Sequence, residues 1–251
     1  EFMQKYHPMG SLAPRDVVAR SIDHELKISG EEFVYLDITH KDPKEVMSHF
    51  PNIYKKCLSI GIDLTKDMIP VVPAAHYCCG GIKVNLNGES SIRRLYALGE
   101  ASSTGLHGGN RLASNSMMEA AVYADAAARH AISVIDSIEL QRDIPAWDYE
   151  GTAVPEEMAL ITQDYKEMQQ IMTNYVGIVR SDVRLERAKR RLEIIFKETE
   201  ELYLKSTLSQ HLCELRNMIA VGYLIIKQAE ARHESVGLHY SIDYPAKPVE
   251  I

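Results

Sequence analysis

The feature that most constrains the fold is a long stretch, residues 156–236, that contains no proline and only two glycines, Gly177 and Gly222. Proline and glycine are the residues least compatible with the interior of a helix, so their scarcity favours helical structure throughout this stretch. Apolar residues recur in it at helical spacing, which places them on one face of a helix: Leu185, Ala188, Leu192, Ile195, Leu212, Leu215, Ile219, Leu224 and Ile225. The pattern predicts three helices packed as a small bundle, at about 156–175, 181–203 and 207–234.

The first half of the chain has a different residue pattern, in which short apolar runs alternate with proline and glycine. It predicts helices at 12–28, 43–50, 52–60 and from Ser116 to about Ile135, strands at 32–39 and 92–100, and a hairpin turn at Asn87-Gly88. A stretch at 139–155, which contains Pro145, Gly151 and Pro155, reads as a linker. The fold class predicted for the whole chain is therefore α+β, with a mixed first part followed by an all-α three-helix bundle.

Composition excludes several classes of function. The formal net charge of −7 is unfavourable for a general nucleic-acid partner or an anionic membrane surface. The four cysteines have no zinc-type spacing, so no metal site is expected, and their scarcity suggests a reduced, cytoplasmic protein. No apolar run reaches the 18 residues that a membrane-spanning helix requires.

The segment GLHGGNRLASNSMME, residues 105–119, concentrates hydrogen-bonding groups and glycines immediately before a predicted helix. Ser116 and Glu119 fit the capping-box spacing, in which each side chain bonds a backbone N–H at the start of the helix. A helix N-terminus preceded by glycines can bind an anion, or an electron-rich ring such as a reduced flavin. An ordinary capped helix after a glycine-rich loop accounts for the same pattern, and both readings stay open.

Four cationic or titratable residues are candidates for binding or catalysis. Arg111 and His107 lie in the glycine-rich segment, where an arginine can bind a carboxylate through two parallel hydrogen bonds. His76 lies in an extended segment between proline and glycine, and Arg15 opens a predicted helix beside Asp16. Three of them also have a plain structural interpretation: a solvated arginine at 111, a structural histidine at 76, and a surface Arg15–Asp16 pair.

Several segments together resemble the L-aspartate oxidase family, within the superfamily of succinate dehydrogenase and fumarate reductase flavoproteins. They are LAPRDVVARSIDHE, PVVPAAHYCCGGI, LYALGEASSTGLHGGNRLASNSMMEA, YVGIVRSDVRLERA and HESVGLHYSIDYP. The resemblance implies an FAD-dependent oxidation of L-aspartate to iminoaspartate, with reoxidation of the flavin by oxygen or fumarate. The product would feed quinolinate and NAD biosynthesis, and quinolinate synthase would be a possible partner. A succinate- or fumarate-type flavoprotein and a non-catalytic helical interaction module are the alternatives.

The resemblance also implies roles for particular residues. Arg15 matches the family's catalytic proton donor or acceptor, although an arginine is a reluctant base. His76 and Arg111 match ligands of the substrate carboxylates, and we group His107 with them. The cofactor-binding positions implied for FAD are Glu100, at the ribose, and Ser116 and Met117, at the flavin.

Four parts of the chain correspond to parts of the family. Residues 1–77 resemble the later part of a capping domain, 78–138 the returning segment of the FAD domain, 139–155 a linker, and 156–251 the C-terminal helical domain with a docking tail. No G-x-G-x-x-G segment for the FAD pyrophosphate occurs in the sequence. The expectation is therefore a C-terminal portion of the enzyme that neither holds FAD tightly nor turns over aspartate alone.

Overall fold

The computed structural model describes residues 1–111, 113–154 and 158–245. Within it the chain divides into two compact units, Glu1–Ala75 and His76–Ile251. Among the described residues, no helix combines the length and apolar character needed to cross a membrane.

The first unit opens with a helix whose end the sequence predicts closely. Helix α1 spans Arg15–Ser29, and the N–H of Gly30 donates to the carbonyl of Leu26 at 2.9 Å. Gly30 adopts the left-handed conformation, with φ at 77°, which glycine tolerates without steric cost. Pro14 is the residue before the helix, and the predicted span of 12–28 is confirmed except for its first turn, since Gly10–Leu12 forms a separate 3₁₀ turn.

The remainder of the first unit is a small antiparallel pair with two short helices. Strand β1 (Val34–Leu36) pairs with β2 (Ile69–Val71), and Tyr35 lies opposite Pro70. Helices α2 (Pro43–His49) and α3 (Pro51–Leu58) each begin at a proline, which suits the first helical position. Three buried residues form the core here: Val46, Cys57 and Leu64. The predicted strand at 32–39 is therefore present but only three residues long.

The second unit begins with a short parallel pair. Strand β3 (Ile82–Lys83) lies beside β4 (Ser102–Ser103). A Cβ added to Gly81 would come within 2.3 Å of the carbonyl oxygen of Ala101, so this close approach requires glycine.

The prediction of a strand at 92–100 is wrong. Within this stretch the structure has one antiparallel bridge, Glu89–Tyr96, and then a 3₁₀ turn at Gly99–Ala101. Arg94 has a φ of 69°, which is incompatible with extended backbone. The predicted turn at Asn87-Gly88 does exist, with a φ of 74° at Gly88, but the chain reversal that pairs backbone segments lies further on, between 89 and 96.

Helix α4 spans Asn115–Ile135, and three further helices follow it: α5 (Met158–Ile171), α6 (Asp182–Lys205) and α7 (Gln210–Glu230). A π-helical turn, Met172–Val176, extends α5. Ser181 and Ser209 cap α6 and α7 by accepting the N–H groups of Arg184 and Leu212. The predicted helix positions are confirmed within a few residues, except that the predicted start at 156 lies outside the described residues.

Helices α5, α6 and α7 and the π-helical turn bury one continuous apolar core. Its thirteen buried residues are Ile161, Met168, Ile171, Val176, Leu185, Ala188, Leu192, Ile195, Leu212, Leu215, Ile219, Ile226 and Ala229. The apolar periodicity therefore identifies the buried face of α6 and of the first part of α7. It is wrong at Leu224 and Ile225, which are 56% and 37% exposed, because the face of α7 that packs into the core there carries Ile226 instead.

Candidate functional site

The glycine-rich segment before α4 is held by a buried carboxylate. Oε2 of Glu119 lies 2.9 Å from Nε2 of His107, and Oε1 accepts a hydrogen bond from the hydroxyl of Thr104. Only 3% of the Glu119 side chain and 9% of the His107 side chain are exposed. A buried carboxylate is costly unless it is hydrogen-bonded, so these two donors tie residues 104–107 to the first turns of α4.

Arg111 is ordered by an aromatic ring and a hydroxyl. Its guanidinium carbon lies 4.7 Å from the centroid of the Tyr77 ring, and its Nε donates to Oγ of Ser116 at 2.7 Å. The ring of His107 meets the same tyrosine edge-on, with the centroids 5.6 Å apart. Tyr77, His107 and Arg111 therefore form one cluster beside the start of α4.

The capping-box prediction is wrong. The residue before the helix is Ser114, in the left-handed conformation with a φ of 68°, and its side chain makes no capping hydrogen bond. Ser116 lies inside the helix, where its hydroxyl accepts from Arg111, and the Glu119 carboxylate is occupied by Thr104 and His107. Tertiary partners thus override the local pattern, and Ser114 leaves the first turn of α4 without a side-chain cap.

Tyr77 is a protonated phenol in this environment. Burial raises the pKa of Tyr77, and the negative charges of Glu119 and Glu100 raise it further, while Arg111 opposes them. A hydrogen bond with Ser116 also opposes the rise, and the phenol stays protonated at neutral pH.

Glu100 lies in the 3₁₀ turn directly before β4, and its side chain is exposed. Its Oε1 accepts the backbone N–H of Cys78 at 2.9 Å. This bond joins the segment after His76 to the end of the turn, so that Tyr77, Cys78 and Glu100 belong to the same part of the unit. A small, shallow pocket lies here, and its lining includes Cys79, Ser103, Thr104, His107 and Glu119.

The other two predicted residues lie apart in the chain. His76 is exposed and directly precedes Tyr77. Arg15, the first residue of α1, belongs to the first unit, where its Nη2 donates to the carbonyls of Ser11 at 2.8 Å and Ala13 at 3.0 Å. The surface pair suggested for Arg15 and Asp16 is wrong, because Asp16 pairs with Arg20 at 2.7 Å. That Arg15 shares a site with Arg111 stays a prediction.

Two residues of this region, Tyr77 and Thr104, are not predicted by the sequence analysis. Tyr77 is adjacent to a candidate histidine, and an aromatic residue beside a cationic segment is a signal that could have indicated it. Glu119 was noticed only as a capping residue. Among the described residues, no group of three or more histidine, cysteine, aspartate or glutamate side chains is arranged to hold a metal ion.

Comparison with known proteins supports a flavoprotein assignment. A family model described as "FAD binding domain" matches residues 1–117, and one described as "Fumarate reductase flavoprotein C-term" matches residues 165–248. The L-aspartate oxidase of Yersinia pestis is 49% identical over 97% of this chain and 46% of its own length, and that of Pseudomonas aeruginosa is 46% identical over 97% of this chain and 45% of its own length. The chain belongs to the L-aspartate oxidase family.

The fold agrees with that membership. A chain of the Mycobacterium smegmatis Sdh1 complex in the apo form has a similar fold, with a TM-score of 0.76 and 30% sequence identity. The match covers 94% of this chain and 43% of the Sdh1 chain. Identity to the two L-aspartate oxidases, 49% and 46%, is higher than the 30% identity to the Sdh1 chain. The chain spans about half the length of the curated L-aspartate oxidases that it matches.

Proposed function

We propose that the protein containing this chain is an FAD-dependent L-aspartate oxidase that converts L-aspartate to iminoaspartate. The observation that carries the proposal is Arg111, whose guanidinium is held over Tyr77 and against Ser116 at the start of α4. A guanidinium fixed in this way retains N–H donors that suit a carboxylate, and a dicarboxylate substrate needs such groups at each end. His76 and His107 are proposed to contribute to the same binding region.

The residues present fit a flavin. The first turn of α4 carries the positive end of the helix dipole and lacks a cap from Ser114, and Met117 is 84% exposed there. A Cβ added to Gly105 or Gly108 would meet no atom within 4 Å, so there is open space beside the loop. We propose that Ser116 and Met117 contact the flavin and that Glu100 contacts its ribose. FAD, when bound, supplies a two-electron acceptor for the hydride from the substrate α-carbon.

Arg15 is proposed to serve proton transfer at the substrate. Its Nη2 already donates to two backbone carbonyls, which fixes the side chain. Because a guanidinium carries N–H donors and no acceptor, a role for Arg15 in proton transfer requires a relay through a neighbouring group. A merely electrostatic role, in which Arg15 stabilises developing negative charge, would leave the pH profile of the reaction unchanged on substitution by lysine.

The domain assignment belongs to the same proposal. The capping-domain part is taken as 1–77, the FAD-domain segment as 78–138, the linker as 139–155 and the C-terminal three-helix domain as 156–251. The end of the first compact unit at Ala75 and the shared core of α5, α6 and α7 support this division. A cytoplasmic location, fumarate or oxygen as the electron acceptor, and quinolinate synthase as a consumer of the unstable imine follow as further proposals.

The test uses the flavin-loaded, full-length protein under anaerobic conditions. L-aspartate is expected to bleach the oxidised-flavin absorbance, and succinate is expected to leave it unchanged. Bleaching by succinate alone would instead support the dehydrogenase-type alternative. Arg111→Lys keeps the charge but loses the two-pronged geometry, so the KM for aspartate should rise about tenfold or more. The matched control is Arg129→Lys, because Arg129 is 78% exposed and pairs with the surface residue Asp125 on its own helix.

A further inference from the structure

A tight turn in the C-terminal segment lies directly on the glycine-rich loop. In this turn, Val236–His239, the N–H of Val236 donates to the carbonyl of His239 at 3.0 Å, and the N–H of His239 donates back to Val236 at 3.1 Å. Gly237, within the turn, has a φ of 60°. The reciprocal hydrogen bonds make the turn a defined element.

The contact between the turn and the loop is a backbone contact. The N–H of Leu238 donates to the carbonyl of Gly109 at 2.9 Å. A Cβ added to Gly237 would lie 2.2 Å from that same carbonyl oxygen, and a Cβ added to Gly109 would lie 3.3 Å from a side-chain carbon of Val236. The approach therefore requires glycine at position 237, whereas a side chain at position 109 would be tight against Val236.

Arg180 anchors the turn to the helical region. Its N–H donates to the carbonyl of Tyr240 and its own carbonyl accepts from Ile242, both at 3.0 Å. Its guanidinium donates from Nε to the carbonyl of Val176 and lies 2.8 Å, through Nη1, from Nδ1 of His239. Arg180, just before α6, therefore fixes the position of the turn. The turn itself fixes the position of Gly109 through the hydrogen bond from Leu238.

Gly109 precedes Arg111 by two residues. Because so short a connection transmits a displacement of the backbone almost directly, the position of Gly109 limits where the guanidinium of Arg111 can lie. We propose that the turn Val236–His239 is a positioning element, which holds Gly109 and thereby sets Arg111 for the substrate carboxylate. This inference rests on the proposed function, since it assigns the purpose of the contact to binding of a dicarboxylate.

The alternative is that the turn only stabilises the fold. A structural contact would lower the melting temperature when disturbed and leave the KM of the surviving folded enzyme unchanged. A positioning contact would raise the KM for aspartate with little change in kcat or flavin content, because a small displacement of a binding residue is felt in binding. The split between KM and kcat therefore separates the two roles.

The main variant is Gly237→Ala, and Gly151→Ala is its matched control. Both glycines have positive φ, 60° and 80°, so alanine strains the backbone in both, but a Cβ at 151 meets nothing within 4 Å. In the flavin-loaded, full-length enzyme, Gly237→Ala should raise the KM for aspartate about tenfold, and Gly151→Ala should leave it within about twofold. Equal KM values for both variants and the unaltered enzyme would overturn the proposal.

A second pair of variants keeps the test decisive if Gly237→Ala does not fold. His239→Leu removes the acceptor that Arg180 meets, whereas His239→Gln keeps an acceptor oxygen. The leucine variant should raise the KM, and the glutamine variant should restore it; identical KM values for the two would contradict the proposal.

Hydrogen exchange separates failure of this inference from failure of the proposed function. Peptides covering residues 105–111 should exchange faster in Gly237→Ala than in Gly151→Ala, whether or not aspartate is a substrate. Unchanged exchange with normal aspartate oxidation would refute the positioning role alone. Faster exchange in a protein that oxidises no aspartate would support the contact and refute the proposed function.

Discussion

Two regions of the second unit are held together by different forces. The helical region, residues 158–230, buries thirteen apolar residues in one core. The region from His76 to Ile135, among its described residues, has only two buried apolar side chains, Ala97 and Ala127, and two buried polar ones, Ser102 and Glu119. The first region is organised by burial and the second by hydrogen bonds.

The difference indicates that one region contributes most to the stability of the fold and the other to the placement of individual side chains. Apolar burial is roughly proportional to area and has little directional preference, so it stabilises a fold without fixing single atoms. Hydrogen bonds such as those of Glu119 to Thr104 and His107 contribute less net free energy but fix orientation. We therefore expect the helical region to supply much of the stability and the loop region to set the placement of Arg111.

The largest expected effect is on the helical core. Leu192→Ala on α6 removes a side chain that is 1% exposed and should lower the free energy of unfolding by about 2–5 kcal/mol. Leu204→Ala, the same change on the same helix at a position that is 72% exposed, should cost less than about 0.5 kcal/mol. Urea unfolding followed by circular dichroism measures both. Similar losses for the two variants would show that burial does not dominate this region.

The next effect concerns the polar region. Glu119→Gln removes a buried charge that two groups donate to, and should cost about 1–3 kcal/mol of unfolding free energy, because one partner loses its acceptor. Glu186→Gln is the matched control, since its side chain is 64% exposed in a surface pair with Arg190, and should cost less than about 0.5 kcal/mol. A loss in Glu119→Gln as small as in the control would mean that the loop does not depend on this carboxylate.

A smaller effect is the pH dependence of stability that arises from His239, which contacts Arg180. Burial lowers the pKa of His239, and the nearby positive charges of Arg180 and Arg232 lower it further. The unfolded chain therefore binds a proton at a higher pH than the folded chain does, so stability falls as the pH drops below the ordinary histidine pKa of about 6.5. Unfolding measured at pH 7 and pH 5 should show this fall, and His239→Gln should reduce it. An equal fall in the variant would assign the pH dependence to other groups.

The smallest expected effect lies on the exposed face of α4. Asp125 and Arg129 form an ion pair with side chains 63% and 78% exposed. Asp125→Asn should change the free energy of unfolding by less than about 0.5 kcal/mol, because solvent screens such pairs. A loss above 1 kcal/mol on thermal unfolding would be inconsistent with that screening.

The sequence predicts the helical region well because its signal is periodic and local. Most of the residues that recur at helical spacing in 181–234 are buried, and the absence of proline leaves few other interpretations. Leu224 and Ile225 are the exceptions, because neighbouring Ile226 takes the buried position. The strand predicted at 92–100 was wrong for the opposite reason. Its apolar residues do not alternate strictly, and the left-handed conformation of Arg94 depends on the surrounding turn rather than on the residue itself.

The candidate site was predicted only in part. Arg111, His107 and Ser116 do lie together, as their closeness in the chain suggests. The part played by Glu119 could not be read from a four-residue pattern, because its partners lie 12 and 15 positions earlier. The hydrogen bond from Leu238 to Gly109 is even harder to predict from a local pattern, since the two residues lie far apart in the sequence.

The close approach of Gly81 to Ala101 has a consequence for mutational tolerance. A Cβ at Gly81 would collide with backbone atoms, which cannot swing away as a side-chain tip can, whereas a Cβ at the neighbouring Gly80 would reach only an ordinary 3.9 Å contact with the carbonyl of Cys78. Saturation mutagenesis should therefore recover small replacements at position 80 and almost none at position 81. The two adjacent glycines therefore differ in the substitutions that they tolerate.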